Sequence, residues 1–191
     1  MKSSTKTLVI VLAIVAVLVI WFIGAQNKLV NLEENVKLEF SQVETTLQRR
    51  SDLIPNLVET VKGYAKHEEE VFTQIADARA KLAGSIKTGD VEDINEASNQ
   101  LDSALSRLLV ITENYPELKA NEQFVALTDE LAGTENRIAI ARQNYNETVS
   151  KYNKAIKMFP TSIVANMSGY ESANYFEADD DAKDAPTVKF D

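Results

Sequence analysis

FVALTDELAGTENRIAIARQNYNETVSKYNKAIKMF, residues 124–159, carries apolar or small side chains at Phe124, Leu127, Leu131, Thr134, Ile138, Ala141, Tyr145, Thr148, Tyr152, Ala155 and Phe159. The steps between them alternate three and four without a slip. That period is the seam of an α-helix packed at a shallow angle against neighbouring helices. Pro160 follows the last seam residue and closes the series. Pro116 either ends the preceding helix or opens this one, and the element is about 42 residues and roughly 60 Å long.

Three further series surround it. Leu29, Leu32, Val36, Phe40, Val43 and Leu47 recur at helical spacing. Ile54, Leu57, Val61, Tyr64, Glu68, Val71, Ile75, Ala78 and Leu82 form a second seam with Glu68 as its one charged guest. Ile94, Ala97, Leu101, Ala104, Leu108, Ile111 and Tyr115 form a third. Gly84-Ser85 and Thr88-Gly89-Asp90 bracket a short loop, with Asp90 placed to cap the next helix. The junction at residues 49–55 admits two readings. Ser51 or Asp52 caps a new helix with Pro55 in its first turn, or Pro55 kinks one continuous helix. A closed four-helix bundle favours the turn.

Residues 8–23 (LVIVLAIVAVLVIWFI) are apolar without interruption, and Gly24 and Ala25 extend the run. At 1.5 Å per residue that is about 27 Å of helix, close to the hydrocarbon thickness of a bilayer. Trp21 and Phe22 stand at its far end, where aromatic rings favour the interface. A cleaved signal peptide would have a shorter apolar region and a better cleavage site than Ile23-Gly24-Ala25, so the run reads as a retained anchor. Lys2 and Lys6 before it, against Lys28 and Lys37 interleaved with Glu33 and Glu34 after it, give a narrow vote for a cytoplasmic N-terminus and an extracytoplasmic bundle.

Only six glycines and four prolines interrupt the 191 residues, which argues for few turns and long elements. The net charge of −9 opposes phosphate backbones and argues against nucleic-acid binding. With no cysteine, disulfides, thiolate chemistry, cysteine-ligated zinc and a lipidated N-terminal cysteine are excluded. His67 is the single histidine, and His67-Glu68 lacks the second histidine of a zinc-protease helix because Val71 stands there. Asp179, Asp180, Asp181 and Asp184 lack the loop spacing of a tight calcium site. No phosphate loop or nucleophile elbow is present, so no catalytic residue, cofactor or small-molecule substrate is expected.

Two polar clusters remain. In the first, Arg49 and Arg50, flanked by Asp52, could clamp a phosphate or a partner carboxylate. The structural alternative has Asp52 and Asn56 capping helices near Pro55, while an arginine pairs with acids of the fourth helix. The second holds Arg142, Asn146 and Asn153 on one helix face, with Glu135 and Asn136 nearby. Polar groups on such a face fix helix register and pairing.

The stretch QRRSDLIPNLVETVKGY, residues 48–64, followed by His67-Glu68, is similar to the signature of the LemA family of bacterial membrane proteins. Tyr115-Pro116-x-Leu118-Lys119-Ala120-Asn121, Glu135-Asn136-x-Ile138, Ala141-Arg142-x-x-Tyr145-Asn146, Tyr152-Asn153 and Phe159-Pro160 match it as well. The resemblance covers nearly the whole chain; Ser51 departs from it, a larger residue being common there. It implies an N-terminal anchor, an antiparallel helical bundle and no catalytic residues. Magnetosome-associated relatives imply membrane organisation, and links with membrane proteases and TPM-domain proteins imply an adaptor role.

The expected protein is therefore all-α: one N-terminal transmembrane helix followed by an elongated antiparallel four-helix, coiled-coil-like bundle. Residues 1–7 form a charged flank, 8–25 the span, 26–165 the bundle and 166–191 an acidic flexible tail. The expected role is a scaffold in the bacterial inner membrane that binds protein partners or itself, with an adaptor of a membrane metalloprotease as the alternative.

Overall fold

The computed structural model describes residues 2–177. Among these residues the protein is all-α, with six helices and no strand. They are α1 (Lys2–Lys62), α2 (Glu69–Thr88), α3 (Val91–Thr112), α4 (Pro116–Lys119), α5 (Glu122–Lys157) and α6 (Thr161–Ser168). The chain divides into two compact units, one of residues up to Phe40 with Tyr145–Ala173, the other of Ser41–Asn144 with the segment that begins at Asn174.

In the first unit, the apolar stretch of α1 is long enough to cross a membrane and is almost entirely unburied by protein. Beyond it the seam residues Leu29 and Val36 are buried, as are Val149, Tyr152 and Ile156 of α5 and Val164 and Ala165 of α6. The rings of Phe40 and Tyr145 lie 5.8 Å apart.

In the second unit, the ion pairs and hydrogen bonds show antiparallel neighbours. Lys62 lies over the Phe72 ring while Arg79 reaches Ser51, so α2 runs back along α1. Lys81 pairs with Glu96 and Arg107 with Gln74, so α3 runs back along α2. Arg49 pairs with Glu130 and Tyr64 accepts from Asn121, so α5 runs back along α1. The seam residues Val43, Leu47, Ile54, Leu57, Ile75, Leu82, Ile94, Leu101, Leu108 and Ile138 are buried. Asp90 caps α3 as its position predicts, accepting from the amides of Glu92 and Asp93 at 2.9 and 3.1 Å. Gly89 closes α2 at φ 72°, a left-handed conformation that glycine adopts without strain.

Several expectations change. There is no turn at residues 49–55: α1 is continuous through Pro55. The break lies at residues 63–68, so the second predicted seam is the end of one helix and the start of another. Glu68, its charged guest, is the N-cap residue of α2 and accepts from the Tyr115 hydroxyl. Pro116 neither ends α3 nor opens α5 but begins the short α4, and Asn121 then caps α5 by accepting from the Phe124 amide at 3.0 Å. Phe159 is not a seam residue: α5 ends at Lys157, and Phe159 is 80% exposed. Residues 166–177 are fold rather than tail, since α6 runs to Ser168 and Phe176 is buried.

Candidate functional site

The predicted arginine pair sits on α1 in the second unit, and helical geometry separates its members. Consecutive residues lie about 100° apart around a helix, so Arg49 and Arg50 face different surroundings. Arg49 is exposed and reaches α5, where its Nε and Nη2 donate to Glu130 Oε1 at 3.1 and 2.8 Å. Arg137 Nη2 donates to the same oxygen at 2.8 Å. The Arg49 hydrogen bond, helped by the charge of both guanidinium groups, holds the Glu130 carboxyl below the usual carboxylate range.

Arg50 is buried, with 2% of its surface exposed. It pairs through Nη2 with Asp102 of α3, and its Nη1 lies 3.2 Å from Glu135 Oε2 of α5. Its Nε and Nη1 have no hydrogen-bond partner. Arg142 of α5 lies over the Phe176 ring at 5.2 Å, and its Nε and Nη2 are also without a hydrogen-bond partner. Burial lowers the pKa of both arginines; Glu135 opposes the shift at both, and Arg142 adds to it at Arg50. Glu135 is thus the anion whose charge acts on both guanidinium groups, Arg50 buried and Arg142 half-buried. Burying a guanidinium costs several kcal/mol, roughly, before its partners repay it, so removing a partner costs more than the pair contributes.

This cluster borders a groove of about 350 Å³ between α3 and α5, lined by Arg50, Asp102, Leu105, Leu109, Leu131 and Glu135. Leu109 and Val110 are exposed large apolar side chains on the same helix as the groove's α3 wall. Its apolar walls, Leu105, Leu109 and Leu131, suit an apolar side chain.

Pro55 and Asn56 are exposed on α1. Neither Asp52 nor Asn56 caps a helix, because no helix begins there; Asp52 Oδ1 accepts from Gln48 Nε2 at 2.8 Å within one turn. Among the acids and amides of α5, Asn146 is half-buried in the first unit. Asn153, in the same unit, clamps the returning chain: its Nδ2 donates to the Ala173 carbonyl at 2.9 Å and its Oδ1 accepts from the Ala173 amide at 3.0 Å. The expectation that Asn153 pairs one helix with another is therefore replaced by a clamp on an extended segment. Tyr152 assists by donating to the Glu171 carbonyl at 2.8 Å. Sequence reasoning did not single out Asp102, Phe176, Arg79 or Tyr152 as partners. His67 is exposed in the turn after α1, and among the described residues no three His, Cys, Asp or Glu side chains converge as metal ligands. Asp179, Asp180, Asp181 and Asp184 lie outside the described residues.

Residues 39–190 match the LemA family, from the end of the first seam through the arginine cluster to the C-terminal segment. The chain belongs to the LemA family. Relatives include the magnetosome protein MamQ 2 of Paramagnetospirillum magneticum, 26% identical over 185 residues, covering 85% of this chain and 68% of that protein. Magnetosome protein MamQ of Magnetospirillum gryphiswaldense matches to the same extent. Protein LemA of Metamycoplasma hominis is 26% identical over 159 residues, covering 82% of this chain and 71% of its own. Neither name denotes an enzyme. LemA membership and the exposed apolar helix together mark a membrane protein.

Proposed function

We propose that this LemA-family chain is a non-enzymatic scaffold of the bacterial inner membrane, which binds protein partners or further copies of itself along its helical bundle. The observation that carries the reading is α1: one unbroken helix supplies both the apolar stretch and a wall of the bundle. The groove beside Arg50, with Leu109 and Val110 nearby, is the docking surface on the bundle. The bundle lies on the extracytoplasmic side, as the flanking lysines favour. The magnetosome proteins among the relatives support a role in organising a membrane compartment. Crosslinking in intact membranes, followed by sizing in mild detergent, tests the proposal. Adducts that disappear in a Leu109→Asp variant support it, and a strictly monomeric, partnerless protein sinks it.

An adaptor of a membrane enzyme such as a metalloprotease is the second reading. It rests on Arg49, whose exposed side chain borders an open groove with Gln48, Asp52, Leu53 and Ile86. Arg50 is too buried to serve there. Unchanged partner activity after Arg49→Glu would count against it.

A further inference from the structure

Residues 148–170 (TVSKYNKAIKMFPTSIVANMSGY) contain Lys151, Lys154 and Lys157 and no acid, in a protein of net charge −9. The same stretch exposes Met158, Phe159, Ile163 and Met167, the last two on α6; Phe159 is 80% and Met167 73% exposed. Val164 and Ala165 turn the opposite face of α6 into the protein. A cluster of large apolar side chains left open to water, rimmed by lysines, calls for an occupant.

Its position along α1 identifies that occupant. In the first unit α5 runs antiparallel to α1: the Tyr145 ring lies against Phe40, and Tyr152 borders a groove with Glu33, Val36 and Lys37. About two further turns bring Phe159 to the level of Gln26. Hydrogen bonds fix the same height from the other side of α6. Gln26 Nε2 donates to the Tyr170 hydroxyl at 3.1 Å, and Ser168 Oγ donates to Gln26 Oε1 at 2.9 Å. Gln26 is the residue directly after the apolar run 8–25.

We propose that the α5–α6 corner is a second membrane contact, with Met158, Phe159, Ile163 and Met167 inserted into the lipid interface and Lys154 and Lys157 set against anionic headgroups. It rests on the anchor reading of residues 8–25. An apolar face at headgroup depth is covered by the acyl boundary, and lysines near an anionic surface add attraction. The contact would give the protein two points of attachment and so orient it on the bilayer.

The chain has no cysteine, so single labels are clean. The full chain carrying Phe159→Cys or Met167→Cys, labelled with an environment-sensitive fluorophore, is reconstituted into vesicles of zwitterionic and anionic phospholipid. Ile14→Cys reports the span. Leu38→Cys, exposed in the same unit and about 18 Å further along α1, reports water. Labels at 159 and 167 are expected to lose emission to a lipid nitroxide near the headgroup and to resist aqueous iodide. The label at 14 should lose emission to a nitroxide deep in the chains, and the label at 38 to iodide alone. Labels at 159 and 167 that follow 38 overturn the proposal while leaving the anchor intact. Labels shielded from iodide yet untouched by lipid nitroxide mean that protein covers the corner, which also overturns it. A label at 14 that no lipid nitroxide reaches removes the anchor and the proposal together. Omitting anionic lipid should weaken quenching at 159 and 167 but not at 14; no change would overturn the part assigned to the lysines.

Discussion

Arg79 Nε donates to the Ser51 carbonyl at 2.9 Å, and Ser51 is the residue four positions before Pro55. In an uninterrupted helix that carbonyl would accept from the amide of residue 55, and proline has none. The α2 arginine supplies the missing donor, with the Ser51 hydroxyl also within 3.2 Å of the same nitrogen. Ser51 is buried, so the carbonyl has little recourse to water. Helix α1 thus passes through a proline that would ordinarily cost about 3 kcal/mol.

Removing the donor should expose this dependence. Arg79→Met is expected to destabilise the protein by about 1–3 kcal/mol, the cost of a buried carbonyl left unpaired. In a Pro55→Ala background, where the helical amide is restored, the same substitution should cost markedly less. Urea unfolding of the four proteins, followed by circular dichroism, gives the coupling; strict additivity would contradict the account.

The clustered arginines make unequal demands on their acids. Glu135→Gln should destabilise by about 1–2 kcal/mol, because Arg50 loses one of its two acids and the positive charge of Arg142 nearby is left less opposed. Asp102→Asn should cost less, since Asp102 pairs with Arg50 alone. The exposed Arg49–Glu130 pair should matter least, with Arg49→Ala close to the parent. Thermal melts rank the three.

Alkaline pH should loosen the first unit. Burial pushes the Tyr145 phenol from 10.0 up to about 12. The unfolded chain therefore loses this proton first, and the native state binds more protons between those values. Tyr145 contributes stability that is fully present below pH 10 and lost as the pH rises towards about 12. Denaturant midpoints measured across that window should fall, and Tyr145→Phe should flatten the fall.

Asn153→Ala removes both hydrogen bonds to Ala173. The expected cost is about 1–2 kcal/mol, and the loss should be local. Amide exchange should quicken at residues 171–176 while the buried amides of α3 keep their protection. Equal acceleration everywhere would mean that the clamp supports the whole fold.

Much of the helical framework was legible because burial follows a period. Leu29, Val36, Val43 and Leu47, and Ile94 through Leu108, are inside because their spacing puts them on one face, and Asp90 caps α3 because a carboxylate ahead of a helix meets free amides. The apolar run 8–25 declared itself by length alone. Pro55 was misleading for a physical reason. A proline's effect on a helix depends on whether another element feeds the orphaned carbonyl, and Arg79 lies 28 residues away. The arginine cluster shows the same limit. Its acid from α5 was foreseeable in kind, but no local pattern announces that Asp102 of α3 joins it or that Phe176 covers Arg142. Periodicity likewise carried Phe159 onto the seam, where only the end of α5 at Lys157 could release it to the surface. The sequence by itself determined the all-helical class, the apolar run and most of the buried helix faces, because those follow from neighbours three and four positions away. Only the tertiary structure decided which polar groups satisfy one another and which apolar groups stay uncovered, because those depend on contacts between residues far apart in the chain.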